Sequence, residues 1–583
     1  MSIAACLAAG TLAATTPATI AAVPVAQLHG RGARVGFTEY EAESGCYMGT
    51  EIGPSRALYT IAAEASGRRA VRLDRRGQYV EFTLARPANA VTVRYAIPDS
   101  ADGSGLDSTL GIYVRGERLA SLPLTSRYSW FYGRYPFTNR PSDGGGHHMF
   151  DEARVLLGRT LPAGSKVRLA VGPQDAAAWY VIDLADFEQV APPLVRPAGS
   201  LSVAAFGADP SGREESSRAF AAAIAAARDR HAPLWIGPGT YRIDRHLTVD
   251  RITILGAGSW YSILRGRGVG LYGRNAPHGP TAVHLSDFAI IGEVRERNDR
   301  AKLAAIGGAL GGGAVIQRLW LQHNKSGVWL DGPLSGVSIR DLRIVDNTAD
   351  GINLRRGVRG ARIENVFVRN SGDDGIALWS HRSADNGITV SHNTVVAPIL
   401  ANGIAVYGGR DIRISDNLVA DTLTQGGGIH LGNRFGAVPL AGTIRLERNQ
   451  LVRTGSFDPN WRFGVGALWF YALDGPIGAA IKVSETEIVD STLEAIQFIG
   501  KPIRSVRFSG TLIDGASNWL QLQSGGQASF SGLQVRRLDD PTYAGCDESF
   551  SLTLDRVPGE FRKASTRLCG PLNPRMVERL LEQ

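Results

Sequence analysis

The chain has 583 residues, and its 70 glycines, about 12%, exceed the roughly 7% of an average protein. Charged residues make up 20% and hydrophobic residues 44%, which excludes wholesale disorder and favours a fold of many short strands and turns. No apolar run of about 18 residues follows the N-terminal segment, and the net charge of +8 is scattered, which argues against a multispan membrane protein and against a nucleic-acid binder with a dense basic stripe.

Residues 1–36 form a signal-like or disordered N-terminal segment. Ile3 to Ala26 carries no charge, and the first basic residue is Arg31. The stretch resembles the end of a secretory signal without its basic start, so export is expected. Residues 37–190 read as short alternating runs, such as Tyr79 to Leu84 and Val91 to Tyr95, separated by turn clusters such as Asp99 to Gly105. That spacing predicts a β-sandwich. A Pro-rich stretch, residues 191–199, suits a stiff linker. Residues 200–583 form the second domain, in which Ser216 to His231 is the one clear helix.

From about residue 250 the sequence repeats. The triplets ending at Ile339, Ile363, Val390, Ile414, Leu446, Val483, Phe508, Phe530 and Leu554 recur at about 24 residues, stretched in places by insertions, and Leu285 and Ile316 extend the series upstream. A second series runs between them through Gly327, Gly351, Gly375, Gly403 and Gly428. Several short strands per unit at this period predict a right-handed parallel β-helix of about eleven or twelve coils, capped at its open end by the helix. Insertions at about 292–312, 431–442 and 455–480 are long enough to wall a cleft. Cys546 and Cys569 stand 23 residues apart, about one coil, so a disulfide there suits an exported protein; Cys46 is left single. The absence of a CxxC pair argues against zinc.

Residues one period apart stack about 4.8 Å apart on neighbouring coils. Asp350 and Asp374 are separated by 24 residues and Asp373 adjoins the second, so three carboxylates crowd two coils. Such crowding raises at least one pKa. A protonated acid beside a carboxylate that activates water is the equipment for hydrolysing a glycosidic bond. On an ideal strand Asp373 and Asp374 point to opposite faces, so both line one cleft only if a bend lies there, which Gly372 and Gly375 permit.

The motifs Asn347 to Asn353 and Arg369 to Trp379 resemble those of glycoside hydrolase family 87, which contains α-1,3-glucanases and mycodextranases. The resemblance implies an inverting hydrolase of α-glucan that needs no cofactor for catalysis. It also implies that Asp373 is the general acid and that Asp350 and Asp374 hold and activate the water. Candidate substrate contacts are Asn353, Trp379, His381, His430 and Trp461. Arg355, Arg356, Arg369 and Arg382 surround the motif, and a solvated Arg on the coil exterior is the ordinary expectation for each. The start and end of the N-terminal domain, with Glu41, Glu43 and Asp183, resemble carbohydrate-binding modules of the family 6 and 35 type, which implies a structural Ca²⁺ held by those three acids. The expected partner is a polysaccharide and the expected state a monomer. Three alternatives remain open: a polygalacturonase-like hydrolase, a β-helix polysaccharide lyase, and a solenoid that only binds glycans.

Overall fold

A computed structural model of the chain describes residues 30–274, 281–540, 543–556, 563–564 and 569. The chain divides into two compact units. The first takes in residues 35–191. Its strands form two antiparallel sheets, one containing Ala88–Ala96, Asp151–Leu161 and Tyr180–Glu188, the other Tyr79–Thr83, Asp107–Val114 and Lys166–Ala170. Alternation places Val91, Val93 and Tyr95 of the first sheet in one apolar core with Val80, Phe82, Ile112, Val167 and Leu169 of the second. This is the two-layer arrangement the alternating runs predict. Cys46 is also disulfide-bonded, so the expectation that it stands single does not hold.

The second unit takes in residues 30–34 and 192 onward. It is a parallel β-solenoid of about 13 turns. One ladder runs through Ile316, Ile339, Ile363, Val390, Ile414, Leu446, Val483, Phe508, Phe530 and Leu554, the positions named by the repeat. The same ladder continues from Leu285 back through Ile254 and Leu234 to Leu201, and these last three positions take the turns beyond the eleven or twelve expected. The helix Ser217–Asp229 interrupts the first coil and hides its period. Phe220, Ala223, Ile224 and Ala227 of that helix are buried in the solenoid core, and Phe220 meets Tyr241 edge-on at 5.4 Å.

Two segments differ from their expected roles. Gly32 and Arg34 fall within the predicted disordered start, yet Gly32 N donates to Asp416 O at 2.8 Å and Arg34 N to Asn365 Oδ1 at 2.6 Å. Leu194, within the predicted linker, donates its N–H to Ala257 O at 2.9 Å. The disulfide Cys546–Cys569 is present, with Cα atoms 5.4 Å apart.

Coil corners are pinned by a stack of buried asparagines. Asn393 Nδ2 donates to Asn417 Oδ1 at 2.9 Å, and Asn417 Nδ2 to Asn449 Oδ1 at 3.0 Å. The same oxygen of Asn417 accepts from the backbone N of Asn393. Asn417→Ala orphans these buried donors, so a loss of about 2–4 kcal/mol is expected, read as a drop in the chemical-denaturation midpoint.

Candidate active site

The ladder Val328, Ile352, Ile376, Ile404, Ile429, Leu468 points inward. Alternation then sends Asn353 and Arg355 outward, with Ala377 and Trp379 in register beyond them and Ala405 and Tyr407 beyond those. The carboxylates stand just before these strands. Gly351 N donates to Asp374 O at 3.1 Å, which stacks the two corners. A Cβ on Gly351 would lie 2.5 Å from Gly375 O, and one on Gly372 would lie 2.3 Å from Thr348 O, so both corners need glycine for this approach. The strand begins only at Ile376. Asp373 and Asp374 therefore occupy the preceding bend, where strict alternation does not apply, and one oxygen of each of Asp350, Asp373 and Asp374 lies within 4.8 Å of the others.

The three differ in environment. Asp350 and Asp374 are buried, while the Asp373 side chain keeps 22% of its surface. Asp374 Oδ1 accepts from the backbone N and the Nδ2 of Asn402, both at 2.8 Å, and Oδ2 accepts from Tyr407 Oη at 2.8 Å. Asn353 Nδ2 donates to Asp350 Oδ2 at 3.2 Å. Arg297 pairs with Asp373 Oδ2, donates to Gly372 O at 3.1 Å and lies 3.0 Å from Asp299. Asp373 Oδ1 accepts from the backbone N of Asp374 at 3.0 Å. Burial, then the charges of Asp373 and Asp374, push Asp350 well above the usual carboxylate range. Burial and the Asp373 charge raise Asp374 to about 7, against the pull of Asn402 and Tyr407. The buried pair thus binds protons more tightly than ordinary carboxyls do, and Asp373 is the most exposed of the three.

The other expected contacts fall into different places. Trp379 Nε1 donates to Phe435 O at 3.2 Å, and its ring lies 4.8 Å from that of His381. His381 also bridges to Ala437, so the 431–442 insertion does fold against the motif. His430 is fully enclosed, with Trp469 at 4.1 Å and Tyr407 at 5.3 Å. It stands on the outward row between Ala405 and Trp469, where it packs against both rings. Trp461 is 39% exposed and stacks on Phe463 at 5.3 Å, next to the hairpin Ser456–Asp458 and Phe463–Val465. Its neighbourhood is the aromatic group around Arg434, whose guanidinium lies over Phe435 at 4.1 Å and Tyr471 at 4.9 Å. Arg369, expected on the exterior, is fully buried against Phe367.

Sequence reasoning assigned no site role to Arg297, Tyr407 or Asn402. Asn402 follows Asp350 and Asp374 at the same rung, and Tyr407 is in register with Trp379, so the repeat carried a signal for both. Arg297 lies in an insertion and carries no such signal.

In the sandwich, Glu41 Oε1 accepts from Ser66 Oγ at 2.8 Å, and Ser66 N donates to Asp183 Oδ1 at 3.0 Å. Arg94 pairs with Asp183, both fully buried. Glu41 Oε2 and both Glu43 oxygens lack hydrogen-bond partners. Burial, then the charges of Glu39 and Asp183, push Glu41 well up. Burial, with Asp183 and Glu51 adding to it, raises Glu43 to about 8. The orphaned oxygens of Glu41 and Glu43 are of the kind that Ca²⁺ takes, whereas both oxygens of Asp183 are engaged by Ser66 and Arg94.

Family descriptions match in two parts: α-1,3-glucanase catalytic domain D1 over residues 34–190 and catalytic domain D2 over residues 214–443. The catalytic unit of a thermostable GH87 α-1,3-glucanase from Streptomyces thermodiastaticus strain HF3-3 is 38% identical over 92% of this chain and 99% of its own, with a TM-score of 0.83. The Agl-KA catalytic domain is 26% identical over 90% and 98%, with a TM-score of 0.84. A GH87 α-1,3-glucanase catalytic domain in complex with nigerose is 25% identical over 92% and 100%, with a TM-score of 0.78. Single Asp-to-Ala variants of such a domain hold nigerose or tetrasaccharides, and their second and third substituted positions follow the first by 23 and 24 residues. No curated protein matches the sequence.

Proposed function

The chain belongs to glycoside hydrolase family 87, and from that premise we propose that it hydrolyses α-1,3-glucosidic bonds of a polysaccharide with inversion at the anomeric carbon. The convergence of Asp350, Asp373 and Asp374 on one groove carries the reading. Their spacing equals that of the three substituted aspartates in the sugar-bound relative. Asp373, the exposed member, gives its proton to the leaving glycosidic oxygen as the bond to the anomeric carbon breaks. Water bonds to that carbon from the opposite face, and its proton passes to the ionised member of the Asp350–Asp374 pair, whose raised proton affinity suits it as the base. Arg297 has to release Asp373 for this step, and Asp299 retains the guanidinium nearby.

The first anomer released from α-1,3-glucan, read by NMR, decides the stereochemistry. A β-anomer supports inversion, and an α-anomer means retention through a covalent intermediate. Release from polygalacturonate alone, or unsaturated products absorbing in the near ultraviolet, would sink the glucanase reading.

The proposal extends to four further properties. The chain is exported, which the disulfide Cys546–Cys569 supports. It acts as a monomer, and its sandwich binds polysaccharide. Glu41, Glu43 and Asp183 hold a Ca²⁺ that neutralises their repulsion and stabilises the fold without entering the reaction. EDTA is expected to lower Tm by several degrees, with Ca²⁺ restoring it, as for any ligand of the native state; Glu43→Gln abolishes the difference. A Tm indifferent to EDTA and Ca²⁺ removes the metal.

A further inference from the structure

One coil before Asn353, in register with it, is Trp329, and beside this ring the groove opens into a cavity of about 480 Å³. Its aromatic surfaces are Trp329 and the stacked pair His246 and Tyr272, with ring centres 4.1 Å apart. Its charge is unbalanced. Arg274, Arg300, Lys302, Lys325 and Arg355 line it against two carboxylates, Asp299 and Asp331. Both carboxylates are engaged, Asp299 by Arg297 and Asp331 by Arg355, each at 3.0 Å. Lys325 Nζ is turned to the carbonyls of Asp299 and Ala301, at 3.2 and 2.6 Å. Arg274, Arg300 and Lys302 are exposed and enter no ion pair among the described residues.

A neutral glucan offers these three cations hydroxyl groups only. An anionic substituent offers them hydrogen bonds in which both partners are charged, bidentate to arginine, while the ring bearing it rests against Trp329. We propose that this cavity is a subsite for sugar units carrying an anionic substituent, a carboxylate or phosphate, so that the enzyme favours anionically substituted α-1,3-glucan over the plain polymer. The inference rests on the α-1,3-glucan reading for the polymer backbone.

Calorimetric binding to the full chain carrying Asp373→Asn tests it without turnover. Carboxymethylated α-1,3-glucan is compared with neutral α-1,3-gluco-oligosaccharides in 20 mM and 300 mM NaCl. The substituted ligand is expected to bind at least about 10-fold more tightly per site at low salt, with the advantage shrinking at high salt as charges are screened. Adding Arg300→Gln and Lys302→Gln should bring the two ligands to parity. Equal affinity in the parent, or a preference that survives the double substitution, overturns the proposal. The cations would then serve only to offset the Asp trio. Failure of the unsubstituted chain to cleave either glucan, with the binding preference intact, would instead count against the hydrolase reading.

Discussion

Asp373→Asn is expected to lower kcat on α-1,3-glucan by about 10²–10⁴-fold, the range over which a positioned acid accelerates a reaction, while the chain stays folded. The amide keeps an oxygen for the backbone N–H of Asp374 and occupies the same space, but it has no proton of suitable acidity for the leaving oxygen. KM should change little, because the sugar contacts lie on other side chains. Asp350→Asn and Asp374→Asn should also remove activity, and added azide, a small nucleophile, should restore part of it only in Ala variants of whichever acid activates water. Full activity in Asp373→Asn would move the acid role to the buried pair. Reducing-end release, with circular dichroism to confirm folding, separates these outcomes.

The second large effect is on stability. In EDTA, Tm should fall by roughly 5–10 °C from pH 6 to pH 8. Several buried carboxyls have folded pKa values raised by desolvation: Asp374 to about 7, Glu43 to about 8, and Glu64, Asp385 and Glu494 each to about 7. Each binds its proton more tightly folded than unfolded. Its stabilisation is therefore present in acid and is lost as pH rises from the ordinary carboxylate range through the folded pKa, with no further change above about 8. The buried histidines act in the opposite sense, since burial lowers His147 to about 4 and takes His430 well down, but they oppose the trend only below their ordinary value near 6.5. Asp374→Asn should flatten part of the slope, and Ca²⁺ should flatten the part due to Glu41 and Glu43. A Tm that stays level or rises over this interval would mean that these carboxyls are ionised in the folded protein.

The solenoid and the stacking of Asp350 with Asp374 were legible because a coil turns sequence distance into spatial distance: residues one period apart must be neighbours. The same rule placed the apolar ladder from Ile316 to Leu554 at the correct positions. It failed at the start, where the helix Ser217–Asp229 stretches the first coil beyond any visible period.

The repeat, the pairing of the buried acids and the family resemblance were thus all written in the order of residues. Packing was needed to bring the carboxylates of Asp373 and Asp374 together beside Asp350, because a bend rather than a strand carries them. Packing also carries Arg297 from an insertion to Asp373 and encloses His430 in rings from neighbouring coils. In each case the contact joins residues with no common period, and only packing and hydrogen bonding select it.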